Sequence, residues 1–319
     1  IAAMLESGKA PPKDAPNLQF VLGSLAYDAA DYPAASAALG ALADTSYPDD
    51  SFGELLADSY ARAGKPADGL AALERAIAAR KAAGAAVPAD WVRRGFIVAY
   101  NAKLNQQAMD WSLRMIEADP TPVNWVSAVQ IVRDNGNTTA QENLDLARLI
   151  FRNGSINLEK RFAEREYVEY IQAADPRRLP GEVLKVAEAG IAAGNLRTGD
   201  AFVADALAQS KPRIAQDKAG LPVLERDAKA ANATAATVMA AADTFLSYGD
   251  AAKARDFYTA ALTKPGVDQG RVLTRLGIAQ YDLGAYADAQ ATFAKVTGPR
   301  APIAALWSLQ AKMKAAPAS

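Results

Sequence analysis

The side chains that most often do chemistry are scarce in this chain of 319 residues, which has no histidine and no cysteine. That removes the commonest general base, the commonest transition-metal ligand, thiolate nucleophiles and disulfides. A Ser-His-Asp arrangement and a zinc-binding HExxH helix are excluded, and no glycine-rich phosphate loop follows a strand-like stretch. What remains is carboxylate and hydroxyl chemistry. Glu164, Glu166 and Glu169 are close enough in sequence to act as paired acids, but Lys160, Arg161 and Arg165 interleave with them, and that spacing predicts a salt-bridged, solvated helix face. Asn137-Thr138-Thr139, Asn153-Gly154-Ser155 and Asn232-Ala233-Thr234 match a glycosylation pattern and read as helix-boundary residues. No catalytic residue, metal site or cofactor follows.

The elements that must carry any site are helical. Apolar residues make up 50% of the chain and Ala dominates them, so local propensity favours helix nearly everywhere. Lys and Arg total 35 against 36 for Asp and Glu, which leaves no net charge to draw the chain to nucleic acid or anionic lipid. The first 61 residues are the exception, with nine acids against two bases. They offer either a solvated acidic face or a surface for a basic partner. No apolar run is long enough to span a membrane.

Internal repetition organises the sequence. From Val272 to Pro299, Leu276-Gly277, Tyr281, Gly284, Tyr286, Ala289 and Phe293 place small residues where two helices touch and large ones where the gap must be filled. Leu22-Gly23, Tyr27, Tyr32, Ala35 and Leu39 restate this, and so do Leu56-Ala57, Tyr60, Gly64 and Leu73. Leu22 and Leu56 lie 34 residues apart, a helix–turn–helix period. A third pair spans Asp90 to Pro120 and a fourth runs from Thr121 to about Arg152, turning at Asn135-Gly136-Asn137. Thr198 is expected to cap a helix through Gln209, and Lys211 to Asn232, interrupted by Pro212, Gly220 and Pro222, reads as an irregular insertion of two short helices. Repetition returns with Phe245, Gly249, Ala254 and Tyr258. A lone helix from Arg300 to Lys314 is expected to cap the array, with a frayed end beyond it.

These motifs resemble the tetratricopeptide repeat. Across nearly its whole length the chain is also similar to uncharacterised, exported Ala-rich repeat proteins of alphaproteobacteria, through Trp91-Val92-Arg93-Arg94-Gly95, Leu179-Pro180-Gly181-Glu182, Gly266-Val267-Asp268 and Val296-Thr297-Gly298-Pro299-Arg300. The resemblance implies an all-α solenoid, a right-handed superhelix of helix pairs with a C-terminal capping helix. Its parts would be a linker or upstream remnant (1–16), three repeats (17–120), degenerate repeats with an insertion near 211–232 (121–232), two repeats (233–299) and the cap and tail (300–319). It also implies a periplasmic or exported location with a signal segment removed; cytoplasmic is the alternative.

In such an array the first helix of each pair lines a concave groove. The implied groove residues are Asn17, Phe20, Ser24, Tyr27 and Asp28, then Ser51, Glu54, Asp58, Ala61 and Arg62. The third pair contributes Asp90, Arg93, Ile97, Tyr100 and Asn101, and the last Arg271, Thr274, Ile278, Tyr281 and Asp282. The early groove reads as acidic and aromatic, suited to a protein or peptide carrying Lys or Arg. The carboxylate clamp of chaperone-binding repeats needs Lys and Asn where Phe20, Ser24, Glu54 and Asp58 stand, so capture of an acidic C-terminus is disfavoured. Trp91, Trp125 and Trp307 read as gap fillers; Tyr27, Tyr100 and Tyr281 read equally as packing or ligand contacts. The expected function is a non-enzymatic protein- or peptide-binding scaffold. The alternatives are an assembly component working through its convex or end faces, and an envelope enzyme with a Ser/Lys or carboxylate site.

Overall fold

The computed structural model describes residues 3, 8, 11–135 and 138–316, with the backbone alone at 160 and 161. Half of the 1–16 linker, the turn residues Gly136 and Asn137 with the Asn137 pattern, the interleaving of Lys160 and Arg161, and the last residues of the tail lie outside this description. Among the described residues there are sixteen α-helices, two short 3-10 turns and no strand. The chain divides into two compact units, residues 1–120 and 121–319.

The first unit holds three antiparallel pairs: α1 (Ala15–Asp28) with α2 (Tyr32–Gly40), α3 (Phe52–Arg62) with α4 (Pro66–Ala82), and α5 (Ala89–Asn101) with α6 (Asn105–Ala118). Within a pair the helices touch through small residues. Gly23 lies against Leu39, Gly69 against the Tyr60 side chain and Gly95 against the Trp111 ring, so closely that a Cβ would overlap them. Ala35, Ala57 and Ala76 are fully buried. Chain reversal within each pair is also repeated. Ala30, Gly64 and Lys103 all adopt left-handed backbone, with φ of 59°, 78° and 54°. In each case the next residue's N–H donates to the carbonyl five residues back, a helix-ending geometry that glycine adopts without strain.

The second unit contains α7 (Pro122–Asn135), α8 (Ala140–Arg152), α9 (Lys160–Ala174), α10 (Pro180–Ala192), α11 (Ala201–Lys229), α12 (Ala235–Ser247), α13 (Ala251–Ala261), α14 (Gln269–Asp282), α15 (Tyr286–Phe293) and α16 (Ala301–Ala315). Gly249 and Gly284 repeat the left-handed turn, with φ of 83° and 75°. Two expectations need correcting. The stretch from Lys211 is not irregular, because one 29-residue helix, α11, runs through Pro212 and Pro222 to Lys229. Its cap is Asp200, not Thr198, with the carboxylate accepting from the N–H groups of Phe202 and Val203. Helix α16 is also more than a terminal cap. It packs on α14 and α15 and returns to α7 and α8, so within this unit the last helix closes onto the first two. Helix α8 is enclosed as a result, with every residue from Leu144 to Ile150 buried.

Candidate functional site

In the first unit the first helices of the pairs, α1, α3 and α5, lie side by side. Tyr27 Oη donates to Asp58 Oδ2 at 2.9 Å, bridging α1 and α3. From α5, Arg94 reaches Glu54 at 3.1 Å and Asp58 at 3.3 Å. Arg62 lies 3.5 Å from Asp58 and stacks over the Tyr27 and Tyr32 rings, 5.4 Å from each centroid. Burial first, and then Asp58, push the Tyr27 hydroxyl above its ordinary pKa. A recess of about 590 Å³ opens beside this network, lined by Asp58, Arg62, Arg94, Ile97 and Asn101 among others.

Of the expected residues, Asp58, Arg62 and Asn101 line this recess, and Tyr27 and Glu54 join it only through their bonds to Asp58 and Arg94. Arg93, Ile97, Tyr100 and Asn101 follow at helical spacing on one face of α5. Tyr100 is 45% exposed and its ring stacks on Phe96, centroids 6.0 Å apart. Arg93 and Asp28 are exposed. The expectation of an acidic groove is corrected: Arg94, absent from the expected set, pairs with both Glu54 and Asp58, and together with Arg62 beside Asp58 it balances their charge. Phe20 belongs to an aromatic cluster, 4.8 Å from Tyr47 and 6.4 Å from Phe52. Ser24 spends its hydroxyl on the Phe20 carbonyl at 2.9 Å.

Of the last-repeat residues, Thr274, Ile278 and Tyr281 are buried in the second unit, Arg271 is half-buried and Asp282 is exposed. Tyr281 is 8% exposed, accepts from Gln310 at 3.0 Å and packs on Trp307, so it is a core residue and not a groove contact. Trp91, Trp125 and Trp307 are buried as gap fillers. Arg271 pairs with Asp243, and Asp282 takes both its bonds from Arg152, at 2.6 and 2.7 Å. The Arg152–Asp282 pair stays partly exposed, its side chains 19% and 21%, at the edge of a buried ionic core. Asp145, fully buried, accepts from Arg148 at 3.2 Å, Arg275 at 3.0 Å and Arg300 at 2.7 Å. Glu182 accepts from Arg148 at 2.7 and 2.6 Å and from Tyr170 at 2.7 Å. Asp243 accepts from Arg275 at 2.8 and 2.7 Å and from Tyr258 at 2.7 Å. Burial pushes each of these carboxyls up in pKa, but the guanidiniums outweigh it: Asp145 and Asp243 fall below their ordinary range and Glu182 falls to about 2. The sequence did carry a signal for this core, namely an Asp and an Arg three apart within the apolar run Leu144 to Ile150.

A cavity of about 750 Å³ lies beside this core. The ends of α8, α12 and α14 meet there, contributing Phe151, Arg152, Leu246, Tyr248 and Asp282, while α10 adds Lys185 and Glu188 and α11 adds Ile214 and Lys218. The acids of α9 need one correction. Glu166 is not solvated but 4% exposed, with Arg133 Nη1 at 3.0 and 3.1 Å from its two oxygens. Glu169 shares that same guanidinium at 3.0 Å, and burial pushes Glu166 up further than Arg133 pulls it down. Two of the glycosylation-like patterns are helix-boundary residues: Asn153 accepts from the Ser155 N–H at 2.9 Å, and Thr234 caps α12. Among the described residues no group of three or more acids could hold a metal ion, and no helix is long and apolar enough to cross a membrane.

Fold and site together define an all-helical protein of packed helix pairs, repeat-like in architecture, with a polar recess in one unit and an ionic core in the other. No known family model and no curated protein matches the chain.

Proposed function

We propose that the protein is a non-enzymatic scaffold whose helix pairs are tetratricopeptide-like and wind as a right-handed superhelix, and that it binds a protein or peptide segment along α1, α3 and α5. The observation that carries this reading is the face of α5. There Arg93, Tyr100 and Asn101 stand exposed at helical spacing, with Asn101 lining the 590 Å³ recess, an aromatic anchor next to polar groups of the kind that dominates binding energy at interfaces. The resemblance to exported repeat proteins supports a periplasmic setting, which fractionation of the native protein would test.

The test is affinity capture from the native cell envelope, comparing wild type with Arg93→Glu/Tyr100→Ala/Asn101→Ala and scoring by mass spectrometry. A partner lost only from the variant supports the groove; a partner kept by both refutes it. A second arm sets the sign of the partner's charge. Arg94→Met releases Glu54 and Asp58, so a basic partner should bind about tenfold tighter and an acidic one weaker. The assembly reading is favoured by one observation, the exposure of Val21 (43%) and Leu25 (56%) one turn apart on α1. It predicts that Leu25→Asp, and not a groove substitution, abolishes association.

A further inference from the structure

The cavity of the second unit is a site in its own right, independent of the groove reading. Its volume of about 750 Å³ falls in the range of small-molecule pockets. Its chemistry follows from asking which charges around it are already spent. Glu182 is saturated by Arg148 and Tyr170. Asp282 and Arg152 hold each other in a two-bond pair. The helix ends that meet there are capped as well: the carbonyls of Leu149, Phe245 and Gln280 accept turn N–H groups from Asn153, Asp250 and Ala285. Their partial negative charge is thereby partly satisfied.

Three exposed charges are left. Lys185 and Glu188 make no ion pair or hydrogen bond, and Lys218 lies only over the Tyr248 ring, 5.8 Å from its centroid. Among the lining residues two unspent cations stand against one unspent anion, a balance that favours a negative ligand, while Asp217 lies outside the lining on the Tyr248 hydroxyl. The wall behind them is apolar and aromatic, built from Ile214, Leu246 and the Tyr248 ring, which is itself fixed by donation to Asp217 at 3.2 Å. We propose that this cavity binds a small organic anion, a carboxylate or a phosphate ester, with its charge between Lys185 and Lys218 and its apolar body against Tyr248 and Ile214. Glu188, one turn beyond Lys185 on α10, is the group that opposes it.

The test is titration of the full chain by calorimetry with benzoate, phenyl phosphate, benzylamine and L-phenylalanine. At least one of the two anions should saturate at millimolar concentration, and the tighter of them identifies the headgroup. Lys185→Ala and Lys218→Ala should each weaken it about tenfold, as the loss of a charge-assisted contact does. Glu188→Gln should strengthen it several-fold. Both lysines are exposed, so circular dichroism should show the variants folded. The proposal is overturned if neither anion saturates, if the double lysine variant binds unchanged, or if benzylamine binds as well as the anions. It is also overturned if L-phenylalanine binds tighter than benzoate and loses that advantage with Glu188→Gln, which would make the site zwitterion-specific.

Discussion

Replacing Asp145 should loosen the second unit where its last helix meets its early ones. The Asp145 carboxylate is fully buried and faces three guanidiniums. In Asp145→Asn, Arg148 keeps Glu182 and Arg275 keeps Asp243 and Gln141. Arg300 loses the one carboxylate it bonds, at 2.7 Å, while remaining 6% exposed. Removing one partner of a buried pair leaves an uncompensated charge and costs about 3–5 kcal/mol. The loss should appear in urea unfolding followed by circular dichroism. In hydrogen exchange it should appear as faster amides in α16 and α8, with the first unit unchanged. Arg300→Met added to Asp145→Asn should recover part of the loss, with a coupling above about 1 kcal/mol. A cost for Asp145→Asn below about 1 kcal/mol, with α16 protection intact, would refute the reasoning. It would mean that Asp145 does not fasten the C-terminal helix.

Acid should weaken the same core. Glu182 titrates near 2 in the folded protein against an ordinary 4.5, so its contribution is complete above about 4.5, is lost as pH falls towards 2, and amounts to about 3 kcal/mol; Glu182→Gln should flatten the pH dependence of the unfolding free energy in that window. Gly277→Ala should destabilise by about 1–3 kcal/mol in thermal or chemical unfolding, because a Cβ there would overlap the ring of Phe293, which is 2% exposed. Lys103→Gly should stabilise by about 0.5–1 kcal/mol in the same assay, since Lys103 holds a φ of 54° that costs a side-chain-bearing residue more than glycine.

The helix pairs were legible because the information that specifies them is local. Gly277 and Phe293, or Gly23 and Leu39, meet within one repeat, and their sizes declare the contact. The prolines of α11 misled because proline interrupts the hydrogen-bond ladder, yet most residues between Lys211 and Asp227 are exposed. Backbone groups freed there can bond to water, so Pro212 and Pro222 cost less than they would in a core. The groove charge was misjudged for a different reason. Arg94 lies 40 residues from Glu54 and stands outside the repeat positions that mark a concave face. The closure of the second unit was the least legible feature, because Arg275 and Asp145 are 130 residues apart and no period relates them. Their only trace is a charge set where a periodic pattern calls for an apolar residue.

The two units use arginine for opposite ends, and the difference lies in exposure. Around the groove, the Arg94, Glu54 and Asp58 side chains are 30%, 35% and 19% exposed. Pairs in that environment contribute about 0–1 kcal/mol, so an incoming segment can take over either half of them at little cost. In the second unit, Arg148, Arg275 and Asp145 are wholly excluded from solvent, and exchanging any one for a ligand group would strand its partner at several kcal/mol. The ionic core is consequently fixed and the groove is open to exchange. In the scaffold role proposed above, charge at this face would set selectivity: a partner supplying its own cation to Asp58 would displace Arg94, and one supplying a carboxylate to Arg94 would displace Asp58. Arg94→Met separates the two cases because it removes one option while leaving the fold within about 1 kcal/mol of wild type.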